Sequence, residues 1–548
     1  MTDPAAVPAR PPIALTVDGT PVEVPDDGAS LLTVLREHLG VRSAKDGCSP
    51  QGQCGCCTVL VDGQPRVACV TPARRVRGRS ITTLDGLDAS ERSSWGEAFC
   101  NAGASQCGFC TPGIVVRLAG LAARGHGAGD HDAVEQALLA HLCRCTGWRT
   151  ILDAWDRHAS GPLAASGTAD RDLAAASDRA TIEGRSPQRV SPDVALGHGG
   201  FADDEAPAGA LIAVPDPAGG WTVGETLSAA RAAAGKVQGR RTTAEVRHPL
   251  DLPPGEWAAS LRTTWVEPAY LELDASWCEP SGEPSTPLAN GGAFGGKLSS
   301  VVTAAARELA DRHGRPVRVL LAREDAVRLG AKRPPVAGGM RPDGTGVLRV
   351  ASTPGVEAVV AAVAPGLRVE QCPLPGPPTS VDLRAAGSAE ALVLSAAAGV
   401  LAGDGAPGIL AAERSEGRGV VALRSPDGAV VRAEVALGGD PRVGVTVACG
   451  PVLDEVVLRS YCVGAAHMAL GWVTSEGLAV DESGEVHDLT IRSFGVLRAV
   501  DMPPVDVTAD EGDGQPVNGS DAVFAAVAAA AWLAQGCPPD WPTGARLR

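Results

Sequence analysis

Aromatic residues are scarce in this chain, which has only two Tyr and six Phe and an aromatic fraction of 3%. Hydrophobic residues still make up 44% of the 548 residues, so Ala, Val and Leu must supply most of the packing. The charged fraction of 20% is that of a globular rather than a disordered protein. Because a chain of this length is too long to fold around one ordinary hydrophobic core, we expect two or three domains.

Long runs of basic residues are also missing. The chain has 48 Lys and Arg against 64 Asp and Glu, for a formal net charge of −16. A protein that binds nucleic acid needs a face of clustered positive charge. The composition therefore argues against a nucleic-acid partner.

No segment reaches the roughly 20 apolar residues that are needed to cross a bilayer. The nearest, residues 522–534, is short and Ala-rich, and we interpret it as a buried helix. The first ten residues lack the charged-then-apolar order of a signal peptide. We therefore expect no membrane association and a cytoplasmic location, where thiols stay reduced.

Cysteine, by contrast, is plentiful. Ten of the fifteen cysteines lie between Cys48 and Cys145. In a reducing compartment such clustering indicates metal or redox chemistry rather than disulfides. The other five are scattered singly and are expected to be small buried apolar side chains, namely Cys278, Cys372, Cys449, Cys462 and Cys537.

Residues 13–87 predict a small β-rich unit with a packed helix. Two Asp-Gly pairs, at Asp18 and Asp62, separate alternating apolar runs and predict two hairpins. Ser30 is placed to cap a helix that spans residues 31–38. From Ser90, the predicted cap of the next helix, to about residue 157, the pattern predicts four helices.

The rest of the chain divides into a segment with few large apolar residues and a longer segment with many. Residues 160–187 contain few large apolar side chains, and we interpret them as a linker without much buried surface. From about residue 196 to residue 548, short Val- and Leu-rich runs alternate with Ala-rich helices, which predicts a mixed α/β region.

The first cysteine group combines a Gly-rich loop with one distant thiol on the following strand. Cys48, Cys54, Cys57 and Cys69 are separated by five, two and eleven residues. Three close thiolates and a fourth farther along match plant-type 2Fe–2S ligation. The glycines would let backbone N–H groups point at the sulfurs. A four-thiolate zinc site is the alternative, but it usually shows paired C-x-x-C motifs.

The second group lies at predicted helix ends and consists of two pairs, Cys107 with Cys110 and Cys143 with Cys145. Two such pairs can close a four-thiolate cage. Zinc is again the alternative, although a C-x-C pair is a poor zinc motif at this position.

These two motifs together resemble the iron–sulfur part of the xanthine dehydrogenase and aldehyde oxidase family, the molybdenum hydroxylases. The resemblance covers about residues 13–157 and implies two 2Fe–2S clusters. It implies that Cys48, Cys54, Cys57 and Cys69 hold the outer cluster and that Cys107, Cys110, Cys143 and Cys145 hold the inner one. It also implies that Gln106 hydrogen-bonds a molybdopterin cofactor. Cys56 stands where the family has a small residue, and it could ligate in place of Cys54 or Cys57.

The implied fold class is an α+β multidomain protein. It would comprise a β-grasp ferredoxin-like domain (residues 10–88), a four-helix 2Fe–2S bundle domain (89–158), a linker (159–195) and a mixed α/β, shortened molybdenum-subunit-like region (196–548).

Several C-terminal segments resemble the molybdenum subunit of the same family. The loop at residues 291–297 is similar to its Gly-rich loop, which implies cofactor contacts from Gly292, Phe294 and Gly295. Bare backbone can approach a large polar cofactor closely. The segment around Arg384 resembles another cofactor loop of the family, and residues 463–472 resemble its late Gly-rich helix.

The region is nevertheless much shorter than the family's molybdenum subunit. The family's general base, a Glu, should fall near residues 518–521, where Asp521 is the nearest carboxylate. A side chain one methylene shorter misplaces the carboxylate, and a shift of about 1 Å can cost ~100-fold in rate. We interpret Asp521 as the cap of the Ala-rich helix that follows it.

The sequence leaves three functions open. In the first, the chain relays electrons through two 2Fe–2S clusters for a complex with molybdenum-bearing or FAD-bearing subunits, as part of a hetero-oligomer, and its C-terminal region is degenerate. In the second, the chain is a self-contained hydroxylase of N-heterocycles or aldehydes that binds molybdopterin itself. In the third, it is a non-enzymatic redox sensor or scaffold.

Overall fold

The computed structural model describes residues 11–161, 171–235, 244–286, 292–298, 300–401, 407–487 and 489–548. The chain begins with a five-stranded mixed sheet whose strands lie in the order Thr20–Val24, Ile13–Val17, Ser80–Thr82, Thr58–Val61 and Gln64–Val67. The pairing of Ile13–Val17 with Ser80–Thr82 is parallel, and the other pairings are antiparallel. The predicted β-rich unit is confirmed.

Both predicted Asp-Gly turns connect hairpins of this sheet. Asp18 and Gly19 have φ values of 50° and 79°, and Asp62 and Gly63 have 48° and 74°. Two successive residues with positive φ are the signature of a type I′ turn, whose twist matches that of the strands. The sequence pair therefore sets the register of each hairpin.

A short helix packs on the sheet as Leu31–Thr33 and continues with π geometry as Val34–His38. Ser30 caps it, as predicted, because its Oγ accepts the N–H of Thr33 at 3.1 Å. Cys69, however, does not lie on a strand. It lies in the 3₁₀ turn Ala68–Val70 that directly follows the strand Gln64–Val67.

Four helices follow, namely Ala89–Ala102, Thr111–Ala122, His131–Ala137 and Arg149–Ala159. The prediction that Ser90 caps the first is wrong, since Asp88 accepts the N–H of Ser90 at 2.9 Å and holds the cap position. A 3₁₀ turn, Leu138–Ala140, follows the third helix directly. This turn leads the chain into the second cysteine pair.

The linker prediction is wrong over part of its length. Residues 162–170 lie outside the described residues, but the helix Leu173–Gly184 buries Ala176, Arg179, Ala180 and Glu183. Two further short helices follow, Pro192–Ala195 and Ala202–Glu205. A low content of large apolar residues did not prevent burial, because this helix contributes small and charged side chains that find partners.

Three more sheets build the C-terminal region. The first has the strand order Trp221–Gly224, Leu211–Pro215, Val317–Leu320 and Ala275–Cys278. The second has the order Leu367–Cys372, Gly346–Ala351, Val336–Met340 and Ala259–Arg262. The third has the order Gly408–Ser415, Arg418–Arg424, Val430–Ala436, Arg442–Ala448 and Val505–Asp510.

Helices cover these sheets, in agreement with the predicted mixed α/β region. They are Leu227–Ala234, Val302–His313, Arg323–Leu329, Val356–Ala361, Ser388–Ala398, Glu455–Thr474 and Ser520–Ala534. Short 3₁₀ segments are Ala73–Val76, Ile491–Phe494 and Ala499–Asp501.

Small side chains make the core of this region compact. Every residue of the helix Ser520–Ala534 is buried. A Cβ added to Gly419 would lie 2.0 Å from the carbonyl oxygen of Ala530, so this helix touches the sheet backbone to backbone. Ala and Gly thus replace the missing aromatic residues by allowing close approach.

One helix among the described residues, Glu455–Thr474, is long and apolar enough to cross a membrane by length and composition. It is mostly buried inside the protein. Residues 522–534, for which the sequence predicts a buried helix, lie in the buried helix Ser520–Ala534.

Candidate metal centres

The loop before strand Thr58–Val61 brings its predicted thiols together with Cys69. The Cys48 thiol hydrogen-bonds with those of Cys54 and Cys69, which lowers its pKa well below the ordinary range. The Cys69 thiol also hydrogen-bonds with Cys57, and its pKa is raised. The four side chains are buried and form one continuous chain of contacts in the order 54, 48, 69, 57.

Backbone N–H groups point at these sulfurs, as the Gly-rich loop predicted. The N–H of Gln51 donates to Cys48 Sγ at 3.3 Å, and the N–H of Cys69 donates to Cys57 Sγ at 3.4 Å. Such donors stabilise thiolates and lower the effective charge of a bound iron–sulfur cluster. The first site therefore fits a 2Fe–2S cluster in its donor set and in its surroundings.

Cys56 lies beside Cys54. Its thiol hydrogen-bonds with that of Cys54 and lies 3.9 Å from the carbonyl oxygen of Cys54, and burial raises its pKa. A Cβ added to Gly47 would lie 3.1 Å from Cys56 Sγ and 3.2 Å from Cys54 Sγ. Gly47 thus lets both sulfurs approach the loop backbone.

The second group is arranged as two thiol pairs. Cys107 Sγ lies 3.6 Å from Cys145 Sγ. The Cys110 thiol hydrogen-bonds with that of Cys143 and lowers the pKa of Cys143 to about 6, an effect that the Thr146 hydroxyl, 3.1 Å away, reinforces. Two pairs, one for each iron, fit the four thiolate ligands of a 2Fe–2S cluster.

The thiols are thus arranged in pairs and in a row of contacts, and not around one central metal position. Within the described part of the chain, no group of three or more His, Cys, Asp or Glu side chains is arranged to hold a single metal ion.

The two thiol groups are in direct backbone contact. The carbonyl of Cys54 accepts the N–H of Leu142, the residue before Cys143, at 3.0 Å. A Cβ added to Gly113 would lie 2.4 Å from the carbonyl oxygen of Gly55, so the helix that begins after Cys110 abuts the first loop. One hydrogen bond therefore joins a residue of the first group to the segment that carries the second.

The second group also contacts the C-terminal helix Glu455–Thr474. A Cβ added to Gly464 would lie 1.8 Å from the carbonyl oxygen of Cys145. Gln106 occupies the same contact, since its Nε2 donates to Cys145 O and to Ser460 Oγ, both at 3.0 Å. Its Oε1 is buried and has no hydrogen-bond partner among the described residues.

Sequence reasoning missed one ion pair at this contact. Arg144, between Cys143 and Cys145, forms a bidentate pair with Glu476 in which both N–O distances are 2.6 Å. Its Nε donates to the carbonyl of Pro268 at 2.9 Å. An arginine inside a Cys-x-Cys motif is a signal that could have directed attention to it, but nothing in the sequence named its partner.

The Gly-rich loop, described over residues 292–298, packs against the segment that contains Asp382 and Arg384. Gly295 has a φ of 98°, and a Cβ there would lie 2.1 Å from the carbonyl oxygen of Asp382. Phe294 O accepts the N–H of Arg384 at 3.3 Å. Gly292 lies in the same described segment, whereas Gly291 lies outside the described residues.

Arg384 is buried and engaged on two sides. Its guanidinium carbon lies 3.8 Å from the centre of the Phe294 ring. Its Nη1 donates to Ser520 Oγ at 2.8 Å and to Asp521 Oδ1 at 3.2 Å. Burial lowers the pKa of Arg384, and the nearby Asp521 opposes this shift.

The prediction that Asp521 caps the Ala-rich helix is wrong. Gly519 holds the cap position, and the N–H of Asp521 donates to Asn518 Oδ1 at 2.9 Å. The Asp521 carboxylate instead pairs with Arg384 and with Arg185. Two candidates of the sequence analysis, Arg384 and Asp521, therefore bind each other.

Around Arg384, the described residues leave little space for a pterin cofactor. The cavity that Arg384 borders has a volume of about 30 Å³. Sites for cofactors of this size occupy roughly 300–1,000 Å³. A Cβ added to Gly295 would meet Asp382, and one added to Gly296 would meet Ala293 O and Leu383 rather than open space. The described residues of this region are therefore closed around one another.

Comparison with known proteins places two domains. A family model described as a 2Fe-2S iron-sulfur cluster binding domain matches residues 15–77, and one described as a 2Fe-2S binding domain matches residues 83–156. These matches support iron–sulfur clusters over the zinc alternative.

Curated relatives cover the same N-terminal part. The nicotinate dehydrogenase small FeS subunit of Eubacterium barkeri is 37% identical over 129 residues, which is 23% of this chain and 81% of that protein. The isoquinoline 1-oxidoreductase subunit alpha of Brevundimonas diminuta is 37% identical over 150 residues, which is 27% of this chain and 97% of that protein. The match to the aldehyde oxidoreductase of Megalodesulfovibrio gigas spans only 16% of that protein, at 39% identity over 26% of this chain.

Solved structures extend the likeness to the whole fold. The aldehyde oxidoreductase from Desulfovibrio desulfuricans superposes with a TM-score of 0.70 at 15% identity, over 95% of this chain and 97% of that one. The enzyme from Desulfovibrio gigas gives 0.69 at 16% identity, over 97% and 99%. At such identities the likeness shows the fold alone, and it confirms the α+β multidomain prediction.

Proposed function

Because the chain belongs to the molybdenum hydroxylase family, we propose that it is an oxidoreductase component that relays electrons through two 2Fe–2S clusters to or from a partner subunit. The observation that carries the proposal is the pair of thiol groups in backbone contact, next to a C-terminal region closed by its own ion pairs. The C-terminal region then serves to hold the inner thiol group and to dock rather than to turn over substrate.

In this proposal, Cys48, Cys54, Cys57 and Cys69 hold the outer cluster, and Cys107, Cys110, Cys143 and Cys145 hold the inner one. A bound 2Fe–2S cluster supplies one-electron transfer at a potential set by charge, hydrogen bonds and exposure. The chain contributes the N–H groups of Gln51 and Cys69 at the outer site.

At the inner site, the C-terminal region holds the cysteine-bearing segment in place. Gln106, Gly464 and the Arg144–Glu476 pair fix the Cys145 segment against the C-terminal region. The hydrogen bond from Leu142 to Cys54 then holds the two sites at one separation. All the cysteines involved are buried.

The partner would bring the molybdenum centre, the FAD, or both. The closed surroundings of Arg384, which offer about 30 Å³ of space, support this for the molybdenum centre. The relative from Eubacterium barkeri is itself named a small FeS subunit. Reduced thiols suit a cytoplasmic complex.

Metal analysis of the purified chain, alone and with co-purified subunits, tests the proposal. We expect about four iron and no molybdenum per chain, and two reducible clusters distinguishable by electron paramagnetic resonance. The lone chain should turn over neither N-heterocycles nor aldehydes. About one molybdenum per chain with turnover would replace the proposal by a self-contained hydroxylase. Two clusters without any associated subunit would favour a redox sensor or scaffold.

A further inference from the structure

The end of the helix Leu173–Gly184 fits onto the start of the helix Ser520–Ala534. Glu183 is buried, and its two carboxylate oxygens accept backbone N–H groups at that start. Oε1 accepts the N–H of Gly519 at 3.0 Å, and Oε2 accepts the N–H of Ser520 at 2.8 Å. Free N–H groups and the helix dipole make a helix N-terminus an anion-binding position. Here a carboxylate of the same chain fills it.

Two buried guanidiniums converge on the same position. Arg179, fully buried, pairs with Glu183 and donates to Val517 O at 2.7 Å, while its Nε and Nη1 have no hydrogen-bond partner among the described residues. Arg384 donates through Nη1 to Ser520 Oγ, while its Nη2 has no such partner. A buried guanidinium N–H group without an acceptor is energetically unfavourable. The site therefore has N–H donors that could bind a further acceptor.

The charge balance at this position is positive. Arg179, Arg384 and Arg185 face the carboxylates of Glu183 and Asp521, and the helix N-terminus adds further positive potential. Without Glu183, three guanidiniums would face one carboxylate. A tetrahedral oxoanion offers several acceptor oxygens that could satisfy these donors together.

We propose that the N-terminus of the helix Ser520–Ala534 is an oxoanion-binding site of the phosphate type and that the Glu183 carboxylate occupies it as a built-in substitute. The segment 171–185 thereby closes the C-terminal region to phosphate groups. The proposal is independent of the electron relay, because it concerns neither thiol group.

The anchoring of the segment supports this role. Arg171 forms a bidentate pair with Asp454, with both N–O distances 2.6 Å. The Asn518 side-chain amide donates to the carbonyls of Ile182 and Glu183, both at 3.1 Å. The ion pair of Arg171 and the hydrogen bonds from Asn518 therefore hold the Glu183 carboxylate at the N-terminus of the helix Ser520–Ala534.

The test removes the carboxylate and supplies a free ion in the full chain. For Glu183→Ala, we expect thermal unfolding at a lower temperature in chloride and recovery in inorganic phosphate at matched ionic strength. Titration calorimetry should show phosphate binding roughly tenfold or more tighter than to the unaltered chain, in which the intramolecular carboxylate competes at high effective concentration. Iron content should not change.

The matched control is Asp172→Ala. The Asp172 carboxylate also caps a helix, accepting the N–H groups of Ala174 at 2.9 Å and Ala175 at 3.1 Å, but its hydrogen bonds are exposed. General salt stabilisation would raise both variants equally. Recovery of Glu183→Ala no greater than that of Asp172→Ala would overturn the proposal.

Two further measurements sharpen the result. Glu183→Gln keeps the side-chain shape, and if Glu183→Ala does not fold, phosphate binding to Glu183→Gln decides in its place. Adding Arg384→Met to Glu183→Ala should abolish phosphate recovery, and persistence of recovery would contradict the assigned site. Phenyl phosphate distinguishes sources: its failure to bind assigns a free ion, and its binding assigns a phosphate ester.

Discussion

The guanidinium of Arg384 and the carboxylate of Asp521 lie 3.2 Å apart, from Nη1 to Oδ1, in the interior of the C-terminal region. The ring of Phe294 also packs against the guanidinium, 3.8 Å from ring centre to carbon. Three separate sequence segments thus close on one another at this point. A charge so enclosed depends on its partner, because water does not compensate for its loss.

Replacing Asp521 with Asn should therefore destabilise the fold. Arg384 would retain a buried charge without its carboxylate, and breaking such a pair costs about 3–5 kcal/mol in unfolding free energy. Urea unfolding followed by tryptophan fluorescence measures the change. The double variant Asp521→Asn with Arg384→Met should recover part of the loss, and equal destabilisation by both would show that the pair is not the cause.

The inner thiol group is tested by Cys110→Ser. Loss of one ligand of the pair with Cys143 should remove the inner cluster and about half of the iron. Cys100→Ser is the control, since Cys100 is a buried cysteine of the preceding helix that contacts Arg171 instead. Equal iron loss in both variants would point to general unfolding rather than to ligation.

Cys54 and Cys56 are adjacent candidates that iron analysis can separate. Cys54 hydrogen-bonds with Cys48, within the chain of outer thiols, whereas the direct thiol partner of Cys56 is Cys54. We expect Cys54→Ser to lose the outer cluster and Cys56→Ser to keep it. The opposite pattern, read from iron content and the electron paramagnetic resonance spectrum, would assign Cys56 as the ligand.

The contact between the two sites is tested at Gly113. A Cβ there would lie 2.4 Å from Gly55 O and 2.8 Å from Cys56 O, which are backbone atoms that cannot yield easily. Gly113→Ala should therefore cost about 1–3 kcal/mol and weaken assembly of the outer cluster. Gly120→Ala, in the same helix, meets side-chain atoms of Leu60 and Pro65 at 3.2 Å and should be nearly neutral. Stabilisation by Gly113→Ala would exclude the close contact.

His467 should make stability depend on pH. Burial lowers its pKa from 6.5 to about 4, and its Nε2 lies 3.0 Å from Leu497 O. Because the folded-state pKa is the lower one, this contribution is complete above pH 6.5 and is lost as the pH falls towards 4. His467 alone should lower the unfolding free energy at pH 5.5 by about 1 kcal/mol relative to pH 7.5. His141 and His158, whose pKa values burial also lowers, should add to this difference. His467→Gln should reduce the difference by about 1 kcal/mol, and an unchanged slope would assign it entirely to other groups.

The thiol groups were predictable from the sequence because they depend on local spacing. Cys48, Cys54 and Cys57 belong to one short loop, and a Gly-rich backbone leaves them few alternative arrangements. The Asp-Gly hairpins were predictable for the same reason, since a type I′ turn requires positive φ at two successive residues. The cap predicted at Ser90 was wrong because Asp88, just before it, offers the same capping chemistry.

The partners of the charged residues followed only from the tertiary structure. Arg144 and Glu476 are 332 residues apart, and Arg384 and Asp521 are 137 apart. Which carboxylate neutralises a buried guanidinium depends on how distant helices and sheets pack, and no local pattern encodes that.

Glu183 shows most clearly which features the local sequence determines and which only the tertiary structure decides. By itself, the sequence determined two cysteine motifs, two hairpins and a family, because each rests on neighbouring residues whose geometry the backbone restricts. Composition alone suggested a linker at residues 160–187, since few large apolar side chains occur there. Only the folded chain brings the Glu183 carboxylate to the N–H groups of Gly519 and Ser520, which are 336 and 337 residues away. Burial there depends on these distant hydrogen-bond partners, and not on the hydrophobicity of the segment.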